Sequence, residues 1–178
     1  MAISLAKLST ERLNLAPASH SDWPLIYSMQ SNPILKEEQT LEQLKSWFVE
    51  FIAPFKGEEG KWAAYVATDK QTGEGIGCFS VRIVCKHSAH AEIGYMIQLD
   101  EQGKGYASEG AMAIKEYLFT QLSMRRVSAM CNASNDASWK VMEKIGLQRE
   151  GLMKQEYRIN DTWHDTYIYG QVNPLFER

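Results

Sequence analysis

What the chain lacks excludes much. Its three cysteines, Cys78, Cys85 and Cys131, are odd in number and lack paired metal-type spacing, so neither a disulfide framework nor a zinc cluster is expected. No apolar run approaches the ~20 residues that span a bilayer. Basic residues are in slight deficit, 19 Lys and Arg against 22 Asp and Glu. That leaves no electrostatic footprint for nucleic acid. There is no internal repeat, low-complexity tract or Pro/Ser-rich linker to mark a boundary. The 178 residues are therefore read as one domain, 1–178, large enough to bury a full core. With no secretory leader, reduced thiols and a cytoplasmic location are expected. His87 and His90 have a metal-like spacing without a third ligand nearby, which fits a solvated hairpin turn and no metal.

What is present is organised around residues 91–110. Ala91 to Ile97 reads as a strand, Gln102-Gly103-Lys104-Gly105 as a tight turn, and the residues from about Ala107 as a helix. Gly103 and Gly105 permit positive φ. The unpaired N–H groups and positive dipole end of the helix favour an anion at the same place. Three kinds of phosphate loop come into question. The Walker type needs Ser or Thr after Gly-Lys, and Gly105 follows Lys104. The dinucleotide type needs an acidic residue after the next strand, which ends at Cys131-Asn132. The third kind is set by a family resemblance, given below.

Residues Leu8 to Leu15 read as a first strand. Ser21-Asp22-Trp23-Pro24 starts a helix that stops before Pro33. Thr40-Leu41-Glu42-Gln43 is a capping box for a second helix, with Leu41, Leu44, Trp47, Phe48, Phe51 and Ile52 as its core stripe. Trp62 to Ala67, Gly75 to Cys85 and His90 to Ile97 read as strands of a half-buried antiparallel sheet. A helix to about Gln121, a strand from Arg126 to Cys131, and a helix ending at the C′ glycine Gly146 follow. Gln155 to Ile159 and Thr162 to Tyr169 form a hairpin about Asn160-Asp161.

Gln102-Gly103-Lys104-Gly105-Tyr106-Ala107 resembles the pyrophosphate turn of the GNAT superfamily of N-acetyltransferases: Gln or Arg, two residues, Gly, one residue, Gly or Ala. Asn135-Asp136-Ala137-Ser138, Glu143-Lys144-Ile145-Gly146-Leu147 and Glu150-Gly151 resemble its Asn-x-x-Ser, Glu-Lys-x-Gly-Phe and Glu-Gly block, with Leu147 in place of phenylalanine. Thr10-Glu11-Arg12-Leu13 resembles the opening of the ribosomal-protein (Rim-type) branch, although Ala16 stands where that branch carries arginine.

The resemblance implies an α/β fold, a mixed, mostly antiparallel sheet of about seven strands with helices on both faces. It implies acetyl transfer from acetyl-CoA, as co-substrate, to a primary amine. The branch points to the N-terminal α-amine of a ribosomal protein with a serine or alanine terminus; a small-molecule amine or antibiotic is the alternative. A non-catalytic acyl-CoA-binding regulator is the reading of another class. Cofactor contacts are expected from Gln102, Gly103, Lys104, Gly105, Tyr106, Ala107 and Asn135, with the N–H groups of Met96 and Ile97 polarising the thioester where two strands splay. Ser138 is the expected proton donor to the thiolate and Glu92 the base, with Glu150, Glu156, His164 and Asp165 in reserve. Cys131 is read as a small buried hydrophobe, the alternative being an acetyl-cysteine intermediate. No nucleic acid, membrane or metal is expected, and the protein is read as a monomer or homodimer.

Overall fold

The computed structural model describes residues 4–30, 41–159 and 161–176. Eight strands form one sheet: β1 (Leu8–Ser9), β2 (Leu13–Pro17), β3 (Trp62–Asp69), β4 (Gly75–Cys85), β5 (His90–Ile97), β6 (Arg126–Asn132), β7 (Gln148–Ile159) and β8 (Thr162–Val172). Their spatial order is β1-β2-β3-β4-β5-β6-β8-β7. Every neighbouring pair is antiparallel except β5 with β6. Among the described residues the four α-helices are α1 (Trp23–Gln30), α2 (Leu41–Phe51), α3 (Tyr106–Thr120) and α4 (Asp136–Lys144).

Alternation along β4 assigns the faces. Gly77, Phe79, Val81 and Ile83 are all buried on one side, where the larger core lies. Helix α3 lies over this face, and α4 packs against β6, β7 and α3. Gly110 of α3 lets that helix approach: a Cβ there would sit 2.2 Å from the Phe79 ring. On the opposite face Ile26, Met29 and Phe48, from α1 and α2, pack with Val66 and Cys78. Burial among these side chains pushes the Cys78 thiol up to about 12. The expected helices on both faces are thus present, and the sheet has eight strands.

The sheet's margins are where the sequence reading is revised. The strand expected over Leu8–Leu15 is two strands, because residues 10–12 turn out of the sheet to meet α3. The terminal hairpin is longer than its alternation suggests, since β7 begins at Gln148 and continues through two register irregularities. Helix α3 begins at Tyr106, one residue before the expected start. Pro33, Thr40 with its capping box, and Asn160 lie outside the described residues, as do the side chains of Leu41, Leu44 and Trp47. Among the described residues no helix is long and apolar enough to cross a membrane, and no group of three His, Cys, Asp or Glu could hold a metal ion.

Candidate active site

A gap opens in the middle of the sheet. Strands β5 and β6 pair over three positions, His90 with Arg126, Ala91 with Val127 and Glu92 with Ser128. After Glu92 the ladder stops, so backbone groups on the facing edges of both strands have no partner in the sheet. On its other edge β5 stays paired with β4, and Gln98 N–H donates to the Ile76 carbonyl at 3.0 Å. Antiparallel alternation then directs the N–H of Met96 to β4 and those of Tyr95 and Ile97 to the gap. Of the two N–H groups expected to polarise a thioester, alternation keeps Ile97, replaces Met96 and adds Tyr95.

The phosphate turn closes the upper end of the gap. Gly103 and Gly105 adopt φ of 76° and 86°, and Gly105 caps α3. The first helical bond runs from Glu109 N–H to the Gly105 carbonyl at 3.1 Å, so the helix's own amides ahead of it, Tyr106 to Ser108, remain for an anion. Gln102 folds back, its Nε2 donating to the Ile97 carbonyl at 3.0 Å, and so ties the turn to β5. Lys104 Nζ lies 3.0 Å from Glu101. The Tyr106 hydroxyl donates to Asp69 at 2.9 Å. Nothing lies within 4 Å of where a Cβ on Gly103 would stand. These features fit the pyrophosphate of acetyl-CoA at the turn.

A buttress behind the turn has no local signal in the sequence. Glu109, in the first turn of α3, accepts from the Arg12 N–H at 2.8 Å, from Arg12 Nε at 2.7 Å and from the Thr10 hydroxyl. Burial opposes the charge of Glu109, but these bonds outweigh it and hold its carboxyl below the ordinary range. Arg12 also donates to the Lys104 carbonyl at 3.0 Å and lies 4.4 Å from the centre of the Tyr106 ring. Thr10 and Arg12 of the Thr-Glu-Arg-Leu phrase thereby brace the turn, and Leu13 opens β2.

Ser138 faces the gap from α4. Asn135 is the N-cap, its side chain accepting from Ser138 N–H at 3.1 Å. The Tyr95 hydroxyl, from β5, donates to the Ser138 carbonyl at 2.8 Å and lies 3.2 Å from Ser138 Oγ. Burial raises the Tyr95 phenol above its ordinary value, so it stays protonated. Cys131 is half-buried in the same region; burial pushes its thiol up and the Ser138 hydroxyl partly offsets this.

Glu92 stands where the strands part. It lies directly opposite Arg82 in the β4–β5 register, and its Oε2 accepts from Arg82 Nη2 at 2.8 Å. Glu150 is paired with Arg126 away from the gap, and its carboxyl is lowered by that hydrogen bond. Asp165 accepts from Gln155 N–H at 2.8 Å. Glu156 accepts from the Thr166 hydroxyl, and His164 Nδ1 lies 3.1 Å from Asn132 Nδ2. The reserve residues therefore divide: Glu156 and His164 meet neutral side chains, while Glu150 is ion-paired and Asp165 holds backbone.

Comparison with known proteins is consistent with this geometry. The acetyltransferase (GNAT) domain family matches residues 12–148. An uncharacterized N-acetyltransferase of Bacillus subtilis, YnaD, is 31% identical over 91% of this chain and 94% of its own. The ribosomal-protein-serine acetyltransferase of Escherichia coli is 29% identical over 54% of each chain. A spermidine N-acetyltransferase from Vibrio cholerae, solved with CoA and spermine, shares the fold with a TM-score of 0.78 at 20% identity, covering 92% of this chain and 97% of that one.

Proposed function

Because this chain belongs to the GNAT acetyltransferase family, we propose that it transfers acetyl from acetyl-CoA to the N-terminal α-amine of a ribosomal protein beginning with serine or alanine. The observation that carries the transfer is the gap between β5 and β6, with the glycine turn above it and Ser138 beside it. The acceptor is supported by the Thr10-Glu11-Arg12-Leu13 opening and by the Escherichia coli relative.

The turn from Gln102 to Ala107 binds the pyrophosphate. The N–H groups of Tyr95 and Ile97 polarise the thioester carbonyl, for which acetyl-CoA supplies the activated acyl group. Glu92 takes a proton of the ammonium through a water; the freed amine attacks the thioester carbon, the C–S bond breaks, and Ser138, oriented by Tyr95, gives its proton to the thiolate and regains one from solvent. Asn135 holds the start of α4 in place for that step.

A small-molecule amine is the rival acceptor, favoured by the fold shared with the spermidine enzyme. Thiol release from acetyl-CoA, followed with Ser-, Ala- and Met-initiated peptides, spermidine and an aminoglycoside, tests the proposal. Release with the Ser or Ala peptides is the expected result, and release with spermidine alone sinks the ribosomal reading. A rise in melting temperature with acetyl-CoA but no release with any acceptor favours the non-catalytic regulator.

A further inference from the structure

The β7–β8 hairpin carries two groups whose hydrogen-bonding roles are fixed by their neighbours. Asn132, at the end of β6, accepts through Oδ1 from Ser134 N–H at 2.9 Å and from the Ser134 hydroxyl at 2.7 Å. A backbone N–H only donates, so that end of the amide is its oxygen. The other end, Nδ2, is a donor and meets His164 Nδ1 at 3.1 Å. Nδ1 therefore accepts, and the imidazole carries its proton on Nε2. Stacking on Tyr157, with centroids 5.6 Å apart and planes at 23°, holds the ring.

The second group is Glu156. In β7, Met153 lies opposite Thr166 and Tyr157 opposite His164, so residues 154–156 bulge against Asp165 alone. Gln155 takes φ of 50° there, with its N–H tied to the Asp165 side chain. The bulge delivers the Glu156 carboxylate to the buried Thr166 hydroxyl, beside His164 in β8. Glu92 and Glu150 are matched by Arg82 and Arg126, whereas Glu156 has no cationic partner among the described residues. Register puts Asn132, Thr166, Met153, His164 and Tyr157 on the sheet face opposite α4.

We infer that His164 and Glu156 read the acceptor as an α-amino amide, the first residue of a peptide: Glu156 accepts from its ammonium or first amide N–H, and His164 Nε2–H donates to the carbonyl on the amine-bearing carbon. A polyamine has no carbonyl and leaves this donor without a partner. The inference rests on the acetyltransferase reading and adds to it the two groups that select the acceptor.

The test compares Ser-Ala amide with 2-amino-1,3-propanediol, which keeps the amine-bearing carbon and hydroxyl of serine but lacks the carbonyl. In His164→Phe, which preserves a ring against Tyr157 without a donor, the ratio of kcat/KM for the peptide to that for the diol is expected to fall about three- to tenfold. His164→Gln, which retains a donor, recovers part of the ratio. Equal losses for both acceptors overturn the inference, as does a wild-type preference for spermidine over the peptide. Long-range 1H–15N correlation on the full chain reads the same site without turnover. A proton on Nε2 and a shift of that nitrogen on titration with Ser-Ala amide are expected; a proton on Nδ1, or no shift, overturns the assignment even if transfer fails with every acceptor.

Discussion

Arg12 and Glu109, ninety-seven residues apart, are joined twice, once through the Arg12 backbone N–H and once through its guanidinium. The carboxylate is thereby placed in the first turn of α3, where it also complements the helix dipole. The same guanidinium reaches the Lys104 carbonyl in the phosphate turn. The beginning of the chain thus sets the shape of a loop at its middle.

Arg12→Ala removes this brace without touching the gap. The pair is partly exposed, with side-chain exposures of 41% and 18%, so the loss is about 1 kcal/mol. Initial-rate titration of acetyl-CoA should show KM raised about fivefold, with kcat and the acceptor KM little changed. A fall in kcat at unchanged KM refutes the bracing role.

Ser138→Ala removes the proposed proton donor and leaves the Asn135 cap, which contacts the Ser138 backbone, intact. A drop in kcat of about a hundredfold is expected, with acetyl-CoA binding preserved by calorimetry. Undiminished turnover would remove Ser138 from the mechanism.

His90 makes a pH prediction. Burial, then the guanidinium groups of Arg126 and Arg125, hold its imidazole below the ordinary value, while Nε2 lies 2.8 Å from Ser128 Oγ. Its contribution to stability is complete above the unfolded histidine value, ~6.5, and is lost as pH falls through the lower folded value. Urea unfolding from pH 7.5 to 5 should therefore show stability declining with acidification. The decline should be shallower in His90→Asn; an unchanged slope would assign it to other groups.

Lys115 of α3 is buried, with Nζ donating to the Ile145 carbonyl at the end of α4 and to Gln171 Oε1 at 3.0 Å. Lys115→Ala leaves a void and an unpaired carbonyl, costing about 2–4 kcal/mol. The urea midpoint should drop at constant m-value. A shift equivalent to less than about 0.5 kcal/mol would mean that α3 and α4 pack without this link.

Elements governed by local pattern were legible from sequence. Strands β4 and β5 run over the residues that alternation delimits, because both faces of β4 meet apolar neighbours and Gly75 and His90 adjoin turns. The end of α4 was readable because Gly146, just past the Ile145 cap, takes the positive φ of 89° that glycine accommodates. The split at Thr10–Arg12 was not legible, since Glu109 lies far along the chain and no short-range rule connects them. Register was equally hidden: alternation puts Arg82 on one face of β4, but only the pairing of β4 with β5 sets it opposite Glu92. The roles of Tyr95 and His164 depend on the hydroxyl of Ser138 and the amide of Asn132, both brought in from other elements.

The three paired positions between β5 and β6 have a mechanical consequence. Among the described residues they are the only sheet pairing between the five strands β1 to β5 and the three strands β6, β8 and β7, so they act as a fulcrum between two plates. A molecule lodged past that fulcrum couples the plates over a greater length, and its binding free energy adds to their cohesion. Amide-exchange protection along Ile93–Ile97 and Ala129–Asn132 should therefore rise together when acetyl-CoA is added, as a single cooperative unit.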